Sequence, residues 1–135
     1  MKFTDKKKVY VHDTDLTRTM YYAKYLEWFE EVRIDLLEKK YKPLKQMIVE
    51  DGISFVHTES TVRYKRPLFL GDEVVVGCDI IDYSKATITM YCTIKKEEVL
   101  TTTSTIILTC INADKGNATR IPERLVKILE KEVNK

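Results

Sequence analysis

Four successive β-strand patterns follow one long helix pattern, and this order constrains the fold more than any other feature of the sequence. Residues 23 to 40 carry apolar side chains at helical spacing. From Ile53 to Ala113 the chain is rich in Val, Ile, Thr and Tyr, interrupted by short polar connections. Because strands that are segregated from helices rarely form a parallel sheet, the order predicts an α+β domain in which an antiparallel sheet covers a single helix.

The remaining elements are shorter and have clear boundaries. Residues 8 to 12, with the sequence KVYVH, alternate as a short first strand does. A second helix is expected at about residues 43 to 50, ending at Gly52. The charged segment Lys95–Glu98 predicts a tight hairpin, and Pro122 is placed to begin a C-terminal helix.

Length and charge exclude several classes of protein. A chain of 135 residues is expected to form one domain over residues 1–135, with a core of its own. Its net charge of +2 is too small to indicate a nucleic-acid or membrane partner. The N-terminus lacks the apolar region of a signal peptide, and no run of residues is apolar enough to span a membrane. We therefore expect a cytoplasmic protein.

The cysteines indicate neither a disulfide framework nor a zinc site. Cys78, Cys92 and Cys110 are an odd number, are far apart in sequence and form no Cys-x-x-Cys motif. Reduced thiols and the absence of a metal are the simplest expectation.

Two aspartates separated by a single residue, Asp13 and Asp15, lie between the first apolar run and the long helix. A carboxylate at such a junction can form a turn, bind a cation or attack an electrophile held at the helix N-terminus. From the local pattern alone, turn formation is the commoner role. No third acidic ligand and no phosphate-binding glycine loop accompany the pair, which argues against Mg²⁺.

The aspartates and the helix together resemble a known family. The segment DTD followed by MYYAKYLEWFEEVR is similar to the motif of the 4-hydroxybenzoyl-CoA thioesterase-like group of the hot-dog superfamily, and the similarity extends through TVRYKRPLFLGDEVVV to RIPERLV. The resemblance implies a hot-dog fold, with a curved antiparallel β-sheet wrapped around one long central helix. It also implies hydrolysis of fatty acyl-CoA or aroyl-CoA thioesters without a cofactor.

The resemblance also implies roles for individual residues. Asp15 corresponds to the carboxylate that acts on the thioester, either as a nucleophile or as a general base. The backbone N–H of Tyr22, at the start of the helix, corresponds to the donor that stabilises the oxyanion. Tyr25 is expected to fill the core or line the acyl pocket. Asp13 is expected to be structural.

Basic residues are candidates for binding the phosphates of CoA. Arg18 stands where relatives carry a glycine, and it indicates either a phosphate clamp or a different substrate. Arg63, Lys65 and Arg66 end a predicted strand, and alternation would put Arg63 and Lys65 on one face. Phosphate binding and a simple solvated strand end are equally compatible with this group.

The family resemblance predicts a homodimer or homotetramer with the active site between subunits. Two alternatives stay open: a thioesterase acting on acyl-carrier protein, and a non-catalytic module that binds acyl thioesters. A dehydratase is disfavoured because the long helix has no histidine between Ala23 and Tyr41. On the same helix, Glu30 and Arg33 are spaced as an i, i+3 ion pair.

Overall fold

Five strands form one antiparallel sheet in the order β1-β3-β4-β5-β2. The structure, a computed structural model, describes residues 3–133; residues 1–2 and 134–135, the ends of the predicted domain, lie outside the described residues. The elements are β1 (Phe3–Lys8), α1 (Tyr22–Lys40), α2 (Leu44–Gln46), β2 (Ile53–Tyr64), β3 (Glu73–Tyr83), β4 (Thr87–Lys96), β5 (Val99–Asn112) and α3 (Glu123–Val133). The predicted antiparallel sheet and the 19-residue helix α1 are both present.

The core lies between α1 and one face of the sheet. The buried side of α1 carries mainly large apolar side chains at helical spacing: Tyr25, Trp28, Phe29, Val32, Leu36 and Leu37. Alternate residues of the strands face it and are also buried: Val74, Val76, Ile80, Ile88, Met90, Ile94, Ile106 and Leu108. The two periodicities, about 3.6 residues for the helix and two for the strands, therefore meet in one cluster.

The predicted second helix is present, but its geometry changes along its length. It begins as α2 and continues as a π-helical turn, Met47–Asp51. Gly52 ends the turn in the left-handed region, with φ of 66°. Glycine adopts this conformation without steric cost, which explains why the helix stops there.

The first strand does not lie where the sequence pattern predicts it. β1 covers Phe3–Lys8 and pairs with β3, whereas Val11–Asp13 form a short 3-10 turn. The prediction of a strand at residues 8 to 12 is wrong because β1 is an edge strand rich in lysine, and such strands lack a clear apolar alternation. Lys7 of β1 is held instead by Glu31 of α1, with its Nζ atom 2.7 Å from Oε1.

The hairpin between β4 and β5 follows the prediction. Lys96 and Val99 are paired, which leaves a two-residue turn at Glu97 and Glu98. Both turn residues have positive φ, 49° and 66°. Positive φ at both positions is the requirement of a type I′ turn, whose twist suits the flanking strands.

The expectation that all cysteines are reduced is wrong in this structure. Cys78 of β3 and Cys92 of β4 lie directly opposite each other, with Cα atoms 4.2 Å apart, and are joined by a disulfide. Distance along the sequence does not predict which cysteines meet, because antiparallel pairing brings these two residues, 14 positions apart, into register. Cys110 is free and buried, and its burial raises the pKa of the thiol to about 11.

Phe29→Ala tests the central packing of α1. The ring is fully buried in the core cluster, so its loss leaves a cavity, and the free energy of unfolding should fall by about 3–5 kcal/mol. Leu26→Ala on the same helix is the matched control; that side chain is 38% exposed, and its loss should cost less than about 1 kcal/mol. Urea denaturation measures both, and equal losses would contradict the packing described.

Candidate active site

The segment from Thr14 to Met20, here called the Asp15 loop, forms a small loop that doubles back on itself. Thr14 and Met20 pair as an isolated antiparallel bridge. Within the loop the Asp15 N–H donates to the Thr19 carbonyl at 3.0 Å, and the Arg18 N–H donates to the Asp15 carbonyl at 3.1 Å. The loop therefore holds Asp15 at a fixed turn immediately before α1.

The Asp15 carboxylate is exposed and accepts several hydrogen bonds at one oxygen. Its Oδ1 atom accepts from the Thr17 N–H at 2.8 Å and from the Thr17 hydroxyl at 2.6 Å, with the Thr19 hydroxyl at 3.4 Å. These bonds, that of the Thr17 hydroxyl first, hold the pKa of Asp15 below its ordinary value. No residue among 3–133 donates to Oδ2, so this oxygen is open to a ligand.

Arg18 occupies a position at which the backbone favours glycine. Its φ of 65° lies in the left-handed region, which is costly for a side chain with a Cβ atom. The Arg18 carbonyl accepts from the Leu70 N–H at 3.0 Å, so the strained turn is tied to the β2–β3 connection. The side chain is exposed, and its guanidinium forms no ion pair among the described residues.

The start of α1 presents backbone N–H groups that have no capping side chain. Tyr21, the residue preceding the helix, caps no N–H with its side chain. Its own N–H donates to the Asp13 carbonyl at 3.2 Å, and the Lys24 N–H donates to the Tyr21 carbonyl at 3.1 Å. Within the described part of the chain the Tyr22 N–H has no acceptor, so it is available to an anionic group at the positive end of the helix.

Three tyrosine rings meet beside this helix start. The Tyr64 ring, at the end of β2, lies 4.9 Å from the Tyr22 ring and 4.9 Å from the Tyr25 ring, centroid to centroid. Tyr25 is buried, and burial raises the pKa of its phenol, whereas Tyr22 is 72% exposed. The cluster forms an apolar wall that runs from the surface into the core.

The β2–β3 connection supplies two further apolar side chains that the sequence analysis did not single out. Thr19 forms an isolated bridge with Phe69, and the Met20 N–H donates to the Leu68 carbonyl at 2.8 Å. Phe69 and Leu70 are about half exposed. The sole signal in the sequence was an apolar PLFL segment inside a connection, where polar residues are more usual.

Among residues 3–133, no hydrogen bond or ion pair joins the basic side chains at the end of β2 to the Asp15 loop. Arg63 precedes Tyr64, whose ring faces α1, so the alternation of side chains puts Arg63 on the other face of the sheet. Lys65 and Arg66 lie beyond the strand, and both backbone N–H groups donate to the Thr101 carbonyl. The prediction that Arg63 and Lys65 lie on one face of a strand is therefore wrong, because β2 ends at Tyr64 and Lys65 lies beyond it.

Asp13 differs from Asp15 in being almost completely buried, at 1% exposed. Its Oδ2 atom accepts from the Tyr10 N–H at 2.9 Å, and its Oδ1 atom lies 3.1 Å from Lys24 Nζ and 3.2 Å from His12 Nε2. Because its carbonyl also accepts from the Tyr21 N–H, Asp13 ties the segment before the loop to the start of α1. Its contacts are those of a structural residue, as expected.

A cleft of about 930 Å³ lies beside Asp13 and does not include Asp15. Its lining carries charges of both signs, from Lys6, Lys8, Lys24, Lys95, Glu31, Glu73, Glu97 and Glu98. Mixed charge of this kind does not select an anionic or a cationic ligand.

Neither a metal site nor a membrane span is found within residues 3–133. No group of three or more His, Cys, Asp or Glu side chains is arranged to hold a metal ion. In the same residues no helix is both long and apolar enough to cross a membrane.

Residues 9–129 match the profile of a family described as the thioesterase-like superfamily. The chain belongs to this superfamily. The resemblance drawn from the DTD motif is thereby confirmed, and so is the prediction of a thioesterase. Because the match includes the Asp15 loop, α1 and the complete strands β2 to β5, it covers the parts of the fold that build the site.

Similar proteins span almost the whole chain. A putative esterase of Aquifex aeolicus is 25% identical over 96% of this chain and 99% of its own length. A 1,4-dihydroxy-2-naphthoyl-CoA hydrolase of Nostoc punctiforme is 27% identical over 96% of this chain and 88% of its own length. The solved structure of the Staphylococcus aureus protein SAV2348 in complex with CoA has a TM-score of 0.89 at 22% identity, covering 98% of this chain and 84% of that one, which shows a shared fold.

Thr17→Val tests the origin of the lowered pKa of Asp15. The hydroxyl of Thr17 donates to the ionised carboxylate, so its removal destabilises the charged form and should raise the pKa toward the ordinary value. The change is measured by titrating the Asp15 carboxyl carbon by NMR. Thr61→Val, at an exposed position on β2, is the control and should leave the pKa unchanged; an unchanged pKa in Thr17→Val would contradict the assignment.

Proposed function

We propose that this protein hydrolyses acyl-CoA thioesters, with Asp15 acting on the carbonyl carbon and the Tyr22 N–H binding the oxyanion. The observation that carries the proposal is the free Tyr22 N–H at an uncapped helix start, directly after the loop that exposes Asp15. A thioester carbonyl needs both an attacking group and a donor for the charge that develops on its oxygen. Family membership and the named CoA-thioester hydrolase of Nostoc punctiforme support the same substrate class.

We infer that Asp15 attacks the carbonyl carbon directly rather than acting as a general base. A carboxylate of lowered pKa is a weak proton acceptor, whereas attack by its Oδ2 atom on the carbonyl carbon requires no proton transfer. The oxyanion then collapses, the C–S bond breaks, and CoA leaves as the thiolate. Water hydrolyses the resulting mixed anhydride, which releases the carboxylic acid and restores Asp15.

The assembly we propose is a homodimer or homotetramer of one hot-dog domain over residues 1–135, with the sheet curved around α1. In a single chain Asp15 is exposed to solvent and lies outside the 930 Å³ cleft. A second subunit covering the tyrosine cluster and the exposed Phe69 and Leu70 would shield the reacting thioester from bulk solvent. Tyr25 would then form part of the acyl wall.

Asp15→Asn tests the reaction. Thiol release should be measured from a panel of fatty acyl-CoA and aroyl-CoA esters, and kcat/KM should fall roughly a hundred- to ten-thousandfold in the variant, because the amide can neither attack nor accept a proton. Asp82→Asn changes an exposed aspartate of β3 outside the site and should retain full activity.

The outcome also separates the alternatives. Equal rates in the wild type and Asp15→Asn would show that Asp15 is structural. Turnover of acyl-carrier protein but not of CoA esters would favour the carrier-protein thioesterase. Tight binding of CoA esters without thiol release would indicate a non-catalytic module.

Arg18→Gly tests the phosphate clamp. Glycine favours the left-handed backbone at this position, so the loop should be retained while one positive charge is lost. The KM for an acyl-CoA should rise roughly fivefold, the effect of about 1 kcal/mol from one exposed ion pair. The KM for the matching N-acetylcysteamine thioester, which has no phosphate, should not change. A rise for both substrates would mean that the loop itself had moved.

Arg63, Lys65 and Arg66 are second candidates for the CoA phosphates in the assembled protein. All three are exposed and form no ion pair among the described residues. In the assembled protein they would contact the phosphates of a substrate bound between the subunits.

A further inference from the structure

The Asp15 loop places two donors of a single residue, Thr17, on one oxygen of the Asp15 carboxylate. The Thr17 N–H lies 2.8 Å from Asp15 Oδ1, and the Thr17 hydroxyl lies 2.6 Å from the same atom. Asp15 Oδ2 accepts no hydrogen bond from residues 3–133. The two oxygens therefore have different environments: Oδ2, to which the proposed reaction assigns the attack, is open, and Oδ1 is held by its own loop.

A second threonine sets the direction of the Thr17 hydroxyl proton. The hydroxyl oxygens of Thr17 and Thr19 lie 2.8 Å apart, and by distance alone either could be the donor. An ionised carboxylate can only accept, so the single hydroxyl proton of Thr17 points to Asp15 Oδ1. Thr19 then donates to Thr17 Oγ1, and each bond in such a chain polarises the next. The chain strengthens the donor that Thr17 presents to Oδ1.

These donors assist the second step of the proposed reaction rather than the first. When Oδ2 bonds to the acyl carbon, Oδ1 becomes a carbonyl oxygen and loses negative charge, which the donors disfavour. When water then adds to the Asp15 Cγ atom of the mixed anhydride, a full negative charge returns to Oδ1, and the donors are already in place to stabilise it. The same donors hold the pKa of Asp15 below its ordinary value, which shows their preference for negative charge.

We propose that the N–H and the hydroxyl of Thr17 form an oxyanion site for the attack of water on Asp15 Cγ, which makes Thr17 a catalytic residue of anhydride hydrolysis. This inference rests on the proposed function, because it requires the anhydride of Asp15. Water adds to Cγ, the tetrahedral intermediate carries its charge on Oδ1, and the Cγ–Oδ2 bond then breaks. Oδ2 leaves in the product carboxylate, the water oxygen stays on Asp15, and both protons of the water pass to the solvent.

The competing attack, at the acyl carbonyl carbon, has less support from the site. In the proposed reaction the acyl oxygen is bound by the Tyr22 N–H, a backbone donor, whereas Asp15 Oδ1 is bound by both donors of Thr17. In one chain Asp15 and Thr17 are both exposed, so water reaches Cγ from the solvent side of the loop. The two routes leave the solvent oxygen in different molecules, which makes them distinguishable.

A single turnover in water labelled with ¹⁸O tests the route. The wild-type enzyme is used in excess over octanoyl-CoA or benzoyl-CoA, whichever it hydrolyses faster. The released acid should contain no solvent oxygen, and mass spectrometry of the peptide that contains Asp15 should find the label there. With excess substrate the acid should become labelled in later turnovers, because it then carries away the oxygen that Asp15 acquired.

Thr17→Val and Thr17→Ser test the hydroxyl. Valine removes one donor from Oδ1, so anhydride hydrolysis should slow roughly a hundredfold. Thiol release should then show a burst equal to the amount of enzyme, followed by a slow phase, and more label should enter the acid. Thr17→Ser retains the hydroxyl and should restore both the steady rate and the labelling of Asp15. Thr61→Val, at an exposed position on β2, is the matched control and should behave as the wild type does.

The outcomes separate this inference from the proposed function. Solvent oxygen in the acid from a wild-type single turnover would overturn the role of Thr17 while thiol release still depended on Asp15. An unchanged steady rate without a burst in Thr17→Val would overturn it too. Absence of thiol release that depends on Asp15 would overturn the proposed function and this inference with it. The labelling of the wild type needs no variant, so it decides the matter even if Thr17→Val does not fold.

Discussion

Burial of the apolar side of α1 against the sheet is the interaction on which the rest of the structure depends. The helix has one set of large side chains, centred on Phe29, that must leave water, and the inward residues of β3, β4 and β5 are the apolar surface available to it. Once that contact is made, the start of the helix is fixed. The Asp13 carbonyl and the Thr14–Met20 bridge then hold the Asp15 loop beside the exposed backbone of Tyr22. The site is a consequence of how the core is packed.

The two aspartates of the DTD segment show how a short separation produces different chemistry. Asp13 is buried and engaged on both oxygens and at its carbonyl, so it holds the backbone together. Asp15 lies on the solvent side, where the threonines of its own loop stabilise the ionised form and leave one oxygen open. The turn of this loop requires Arg18 to adopt a left-handed backbone conformation, which glycine adopts more easily. The loop therefore combines the position of the proposed reaction with local strain.

Strongly periodic segments were predictable from the sequence, and segments whose structure depends on distant partners were not. Local pattern and turn chemistry predict three of these elements: the helix at 23 to 40, the four strands after Ile53 and the Glu97–Glu98 turn. The first strand was predicted at the wrong residues because β1 is held by its backbone pairing with β3 and by the contact of Lys7 with Glu31 of α1. The opposition of Cys78 and Cys92 depends on strand register, which sequence separation does not reveal. The expected Glu30–Arg33 ion pair is not formed within residues 3–133, where Arg33 is buried and Glu30 is exposed.

The sequence by itself determined the antiparallel α+β class and the superfamily, because these depend on periodicity and on a motif of fixed spacing. The same motif singled out Asp15 and Tyr22 as the positions of the proposed reaction. Tertiary structure alone decided that Asp13 is buried while Asp15 is exposed, that Tyr64 joins Tyr22 and Tyr25, and that Arg63 faces away from them. It also decided that Arg33, a charged residue of α1, is buried with the apolar side of the helix. Burial and the loss of water are properties of the packed chain, and they arise only when residues distant in sequence come together.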